Sequence, residues 1–233
     1  MKTLGLIGGM SWESTALYYC QLNKGIGERL GGLHSAKMMM ANVDFQEIVD
    51  LQRTGQWTKA GAILADCAVR LQSAGAEGIA LAVNTMHKVA PQIVACLDIP
   101  FIDIRDSIAA ELKANGISVC GLLGTGYVMD DEFYRVHIEK AAQCEVVVPK
   151  EEGASTLNHI IYGELSKGIV TDVSKEKVAG LIGELQAAGA EAVILGCTEL
   201  PMLQLDGMCP VPLLDSTALH VKACLDFMTG QPL

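Results

Sequence analysis

Cys197 closes the apolar run 192–196 and opens the triplet Cys197-Thr198-Glu199. A thiol titrates close enough to neutrality to take up and release a proton. Its place at a strand end, with polar residues following, marks Cys197 as a candidate acid/base. The chain also holds an earlier copy of the same segment. Leu71-Gln72-Ser73-Ala74-Gly75-Ala76-Glu77-Gly78-Ile79 returns as Leu185-Gln186-Ala187-Ala188-Gly189-Ala190-Glu191-Ala192-Val193. In that register the first strand ends in Val83-Asn84-Thr85, so a valine stands where the twin of Cys197 belongs. Valine neither donates nor accepts a proton, and the two copies are chemically unequal.

The repeat extends further. Gly5-Leu6-Ile7-Gly8-Gly9 matches Gly121-Leu122-Leu123-Gly124-Thr125, Tyr18 matches Tyr134, and Ile99-Pro100-Phe101-Ile102-Asp103 matches Val211-Pro212-Leu213-Leu214-Asp215. Blocks in one order with little drift describe a duplicated domain, since the unit is far longer than a solenoid repeat. Apolar runs at 3–7, 37–42, 78–82, 118–123, 145–148, 192–196 and 211–214 alternate with helical patterns at 14–28, 58–73, 88–96, 107–115, 130–143, 157–166, 174–187 and 217–228. This alternation predicts an α/β fold of two similar subdomains with mostly parallel sheets, related by a pseudo-twofold axis. Residues 1–98 with 214–233 are expected to form the first and 99–213 the second.

Ligands of open α/β sheets bind beyond the carboxyl ends of the strands. Those ends carry Gly8-Gly9-Met10-Ser11, Asn84-Thr85-Met86-His87, Thr125 and Cys197-Thr198-Glu199, so the site is expected in a cleft between the halves. The glycine-rich turn before Met10 and Ser11 fits neither the dinucleotide nor the P-loop pattern, which leaves a carboxylate as its anion. Asp103 and Asp215, matched across the repeat, read as helix N-caps rather than a catalytic pair.

Composition excludes several classes. A net charge of −10 and the lack of any basic run argue against nucleic acid. The eight cysteines show no Cys-x-x-Cys and no Cys/His spacing suited to a metal, and most lie in apolar stretches as small hydrophobes. Met1-Lys2 runs straight into a strand without a signal peptide, and no apolar run is long enough to span a membrane. The expectation is a reduced, cytoplasmic protein.

Gly-Leu-Ile-Gly-Gly-Met-Ser from Gly5, Asn84-Thr85-Met86-His87 and Gly196-Cys197-Thr198-Glu199 together resemble the aspartate/glutamate racemase family, most closely its broad-specificity amino-acid racemase branch. The resemblance runs from Gly5 to about Met228. It implies a cofactor-independent enzyme acting on a small amino acid, without pyridoxal or metal, and a homodimer. It also implies two opposed thiols, one on each face of the α-carbon, at Cys197 and immediately before Asn84. Racemisation removes a proton from one face and returns one to the other, so an acid and a base must flank the carbanion. With no pyridoxal ring as electron sink, donors to the substrate carboxylate must stabilise the charge.

Here the chain departs from the family, which has cysteine at position 83, or threonine in the nearest branch. Val83 reads either as a substituted catalytic position or as the mark of a one-base relative, and either way two-base racemisation is impaired. Met10, Asn84, Thr85 and Thr198 are expected to contact substrate, and Glu199 either to bind its ammonium or to cap a helix. The resemblance implies carboxylate contacts from Gln52 and Arg53, and from Lys167 as in aspartate-selective members. The bland alternatives are a solvated surface arginine and a helix C-terminal cation. His87 reads equally as an orienting residue or a helix N-terminal one. Two further functions stay open: a single-cysteine decarboxylase or lyase, and a non-catalytic amino-acid binding protein.

Overall fold

The computed structural model describes residues 1–205 and 207–231. It divides into two units, one of residues 1–104 with the chain from His220 onward, the other of residues 105–219. The first unit contains β1 (Leu4–Gly8), α1 (Trp12–Leu30), β2 (Met38–Asn42), α2 (Phe45–Arg53), α3 (Trp57–Ser73), β3 (Gly78–Leu81), α4 (Ala90–Val94) and β4 (Phe101–Ile102). The second contains α5 (Ile104–Ala114), β5 (Val119–Leu123), α6 (Gly126–Met129), α7 (Glu132–Ala142), β6 (Glu145–Val147), α8 (Glu151–Gly163), α9 (Asp172–Ala187), β7 (Ala192–Leu195) and β8 (Leu213–Asp215), with α10 (Ser216–Thr229) returning the chain to the first unit. Both sheets are parallel throughout, ordered β2-β1-β3-β4 and β6-β5-β7-β8.

The first sheet is covered on both faces, which is why its strands are apolar without interruption. Successive side chains point to opposite faces. Ile7, Ile79 and Leu81 join one buried cluster with Leu64, Cys67, Ala68 and Leu71 of α3. Leu4, Leu6, Ala80 and Ala82 join another with Tyr18, Leu22 and Ile26 of α1 and Val221, Cys224, Leu225 and Met228 of α10. The four-residue steps of Tyr18, Leu22 and Ile26 put one stripe of α1 on the sheet.

The duplication is visible in the hydrogen bonds. Ala82 N–H donates to the Ile7 carbonyl at 2.9 Å, and Gly196 N–H to that of Leu123 at 2.7 Å. Ile79 N–H donates to Pro100 and Val193 N–H to Pro212, both at 2.9 Å. Gly75 and Gly189, which follow α3 and α9, have φ of 107° and 102°, values that demand glycine. Leu81 pairs with Ile7 as Leu195 pairs with Leu123, so two residues further on Val83 and Cys197 are structural equivalents.

Several elements differ from expectation. Residues 45–53, where no element was expected, form α2: Asp44 caps it by accepting from Gln46 N–H at 3.1 Å, and only Ile48 is buried. The helix expected at 88–96 is a 3₁₀ turn over Thr85–Val89 followed by the short α4, whose first turn holds Pro91. Helix α8 starts at Glu151 rather than 157, and α6 and the two-residue β4 were not anticipated. Because β4 pairs with β3 and β8 with β7, the chain changes unit at 104/105 and 219/220, beyond the expected 98/99 and 213/214.

Candidate active site

At the end of β7, Cys197 sits in a tight loop. A Cβ on Gly196 would lie 3.1 Å from both the Leu123 carbonyl and a Val128 methyl, and one on Gly124 would lie 3.0 Å from Val128. Glycine at both positions lets the ends of β5 and β7 close on α6. The Cys197 thiol is buried and donates to Glu199 Oε2 at 2.9 Å. Burial raises its pKa well above the ordinary value, and the Glu199 carboxylate raises it further by its charge. The resting thiol is therefore protonated, with its proton directed at a carboxylate. Glu199 also occupies the N-cap position of the 3₁₀ turn Leu200–Leu203 without capping it through its side chain, and Thr198 is half-buried beside it.

One residue to which the sequence assigned no role lies near this thiol. Tyr162, on α8, has its pKa raised by burial, then by Cys197, Tyr127 and Glu199, while the Thr125 hydroxyl opposes the rise. Thr125 Oγ1 is buried without a hydrogen bond of ordinary geometry, although it lies close enough to Tyr162 to exert that effect. Thr125 carried a signal, as a polar residue at a strand end. Tyr162 carried none, since helix α8 comes back to the sheet only in three dimensions. Lys167 is exposed in the turn after α8, its N–H donating to the Glu164 carbonyl at 2.8 Å.

The first unit has a different strand end. Val83 is half-buried against the α3-side cluster, and its N–H turns back to the Leu81 carbonyl at 2.9 Å. Asn84 is 5% exposed and occupies the N-cap position of the turn opened by half-buried Thr85, without capping it through its side chain. The Met10 side chain is 2% exposed within the hydrophobic cluster, which leaves only its backbone for a ligand. Gly9 N–H is taken up by Thr15 Oγ1 at 2.8 Å, and that hydroxyl donates to the Ser11 carbonyl at 2.8 Å, pinning the glycine turn. Gln52 donates to Met86 Sδ at 2.9 Å, which ties α2 to the Asn84-Thr85-Met86-His87 segment, whereas Arg53 is exposed in the last turn of α2.

His87 is fully buried, its Nδ1 2.8 Å from the Val83 carbonyl, which favours the orienting role. His220, for which the sequence offered no partner, lies beneath with Nδ1 2.7 Å from the Tyr18 hydroxyl and Nε2 2.8 Å from the Ile102 carbonyl. Asp215 accepts from Thr217 and Ala218 N–H at 2.8 and 3.2 Å and so caps α10, as its spacing suggested. Asp103 directly precedes α5. Among the described residues no two cysteines form a disulfide. No helix of the described residues is long and apolar enough to cross a membrane.

Known proteins share this architecture. Residues 7–224 match the family model described as Asp/Glu/Hydantoin racemase. A candidate Asp/Glu racemase from Yersinia pestis is 43% identical, with 98% of this chain and 100% of that one covered and a TM-score of 0.95. An aspartate racemase homologue from Pyrococcus horikoshii OT3 is 33% identical over 98% and 100% of the two chains, with a TM-score of 0.88. The Picrophilus torridus aspartate racemase, 22% identical over 100% and 96%, shares the fold with a TM-score of 0.73. With two parallel four-stranded α/β units, a family match over most of its length and these relatives, the chain belongs to the Asp/Glu/hydantoin racemase family.

Proposed function

We propose that the chain is a pyridoxal-independent amino-acid racemase, of aspartate/glutamate or broad specificity, in which Cys197 is the one working acid/base. The observation that carries this is the asymmetry of the strand ends: a thiol hydrogen-bonded to Glu199 after β7, and Val83 at the equivalent position after β3. As substrate enters, the thiol loses its proton to solvent and becomes a thiolate. An arriving substrate ammonium favours the thiolate by its positive charge. The thiolate then removes the α-proton as the C–H pair moves into the substrate carboxylate, held by backbone amides at Asn84 and Thr85. Return of the proton from the same thiol regenerates the same enantiomer. Inversion needs a donor on the opposite face, which valine does not supply.

The test is proton NMR in D₂O with L-aspartate, L-glutamate and a panel of neutral amino acids. The α-proton of at least one L-amino acid should exchange, and Cys197→Ser should slow that exchange by on the order of 100-fold or more. Exchange that persists in Cys197→Ser removes the thiol from the mechanism. The apolar Val83 favours a second reading, a decarboxylase in which one thiol protonates an enolate opposite an apolar wall. Release of CO₂ from a 2-substituted malonate without amino-acid exchange would select it. The family resemblance also leads us to expect a homodimer, which sedimentation equilibrium would detect.

A further inference from the structure

We propose that His87 is a positioning residue, a buried clamp that fixes the Val83–Asn84 peptide so that its N–H is aimed for carboxylate binding. This rests on the reading above, in which the amides at Asn84 and Thr85 hold the substrate carboxylate. The geometry admits one arrangement of the ring. Nδ1 lies 2.8 Å from the Val83 carbonyl, which only accepts, and Nε2 lies 3.3 Å from the Ile104 N–H, which only donates. Both are satisfied only when the proton is on Nδ1 and the lone pair on Nε2. Asp103 Oδ1, 3.8 Å from Nε2, is beyond hydrogen-bond reach. The rings of Phe101 and His220, with centroids 5.7 and 5.9 Å away, hold the imidazole plane. His220 is itself fixed between Tyr18 and Ile102.

The consequence follows from peptide planarity. In a trans peptide the C=O and N–H point in opposite directions. Drawing the Val83 oxygen onto the buried ring therefore turns the Asn84 N–H the other way. The same residue closes the segment from its backbone, since His87 N–H donates to the Asn84 carbonyl at 3.1 Å. The matched position of the second unit carries no such device. In the register that equates Val83 with Cys197, the counterpart of His87 is Pro201, which has neither a side-chain donor nor a backbone N–H. The clamp belongs to the strand end without the thiol, as expected if that end binds and orients rather than transfers a proton.

Nitrogen-15 NMR of the intact protein at neutral pH reads the clamp without any substrate. His87 should appear as a neutral ring with its proton on Nδ1; a proton on Nε2, or a charged ring, would overturn the proposal. Two variants test the consequence. His87→Asn can place an amide donor where Nδ1 stands, and His87→Leu cannot. The Asn84 amide resonance should move in His87→Leu and stay near its parent position in His87→Asn. Affinity for the exchanging amino acid should fall at least tenfold in His87→Leu and recover to within about threefold in His87→Asn. Equal losses in both variants, or none in either, would mean that His87 only fills space. If the parent binds no amino acid, the racemase reading fails, while the ring proton and the Asn84 resonance still decide the clamp. If neither variant folds, the ring proton of the parent decides it alone.

Discussion

Consider lowering the pH around His220, whose ring is fully buried with both nitrogens hydrogen-bonded. Burial, followed by the neighbouring His87, pushes its pKa from 6.5 down to about 4. The unfolded chain therefore binds a proton there before the folded one does. The associated stability is complete above pH 6.5 and is lost as the pH falls through the window down to about 4. Linkage between those two values removes about 2 kcal/mol at pH 5 and about 3 kcal/mol by pH 4. His220→Gln isolates this contribution, because glutamine keeps an amide donor for Ile102 but does not titrate. Near pH 7.5 the variant should be less stable by ~1–3 kcal/mol, from the lost acceptor for Tyr18. Urea denaturation followed by circular dichroism at pH 7.5 and 5.0 should show that gap shrinking by about 2 kcal/mol in acid. A gap constant with pH, or an NMR titration of His220 with a midpoint at 6 or above, would refute the reasoning.

Three other outcomes are expected. Glu199→Gln removes a negative charge that raises the Cys197 pKa, so iodoacetamide should modify Cys197 faster at neutral pH, in a background where exposed Cys20 and Cys96 are replaced. Unchanged or slower modification would mean that the carboxylate does not govern the thiol. A Cβ at Gly78 would lie 2.5 and 2.7 Å from Phe227 ring atoms, whereas Gly180, inside α9, has open space around it. Gly78→Ala should therefore cost about 1–3 kcal/mol and Gly180→Ala add about 0.5–1 kcal/mol, both read by thermal melting. Val83→Thr is nearly isosteric, so amino-acid affinity by calorimetry should stay within about tenfold, or ~1.4 kcal/mol. A larger loss would make position 83 structural.

The duplication made much of the fold legible. Matching Gly75 to Gly189 and Leu81 to Leu195 places strands, helix ends and the equivalence of Val83 with Cys197 from sequence alone, because each copy must satisfy the same backbone geometry. Helix α2 has the helical spacing of Phe45, Ile48 and Val49, but it is only nine residues long and buries Ile48 alone, so it left a weak signal. Strand β4 was hidden because two residues carry no periodicity. The strand-end positions of Cys197, Asn84 and Thr125 were legible in the sequence. The Cys197–Glu199 hydrogen bond could not be read, since side-chain direction in a tight loop depends on how Gly196 and Gly124 pack. Tyr162 and the His87–His220–Tyr18 stack were invisible because their partners lie far apart in sequence: Tyr18 and His220 meet only when α1 and α10 cover the same face of the sheet.

The central claim, one proton-transferring thiol at Cys197 with inert Val83 at the matching strand end, is tested most directly by comparing exchange with inversion. Each enantiomer is offered separately in D₂O, with the α-proton followed by NMR and configuration by chiral chromatography. The L-amino acid should lose its α-proton to deuterium far faster than it becomes D, and the D-enantiomer should exchange little. Val83→Thr and Val83→Cys should each raise inversion while leaving exchange of the L-enantiomer in place. Rapid inversion of both enantiomers by the protein with Val83 would contradict the account and require an acid other than Cys197 on the second face.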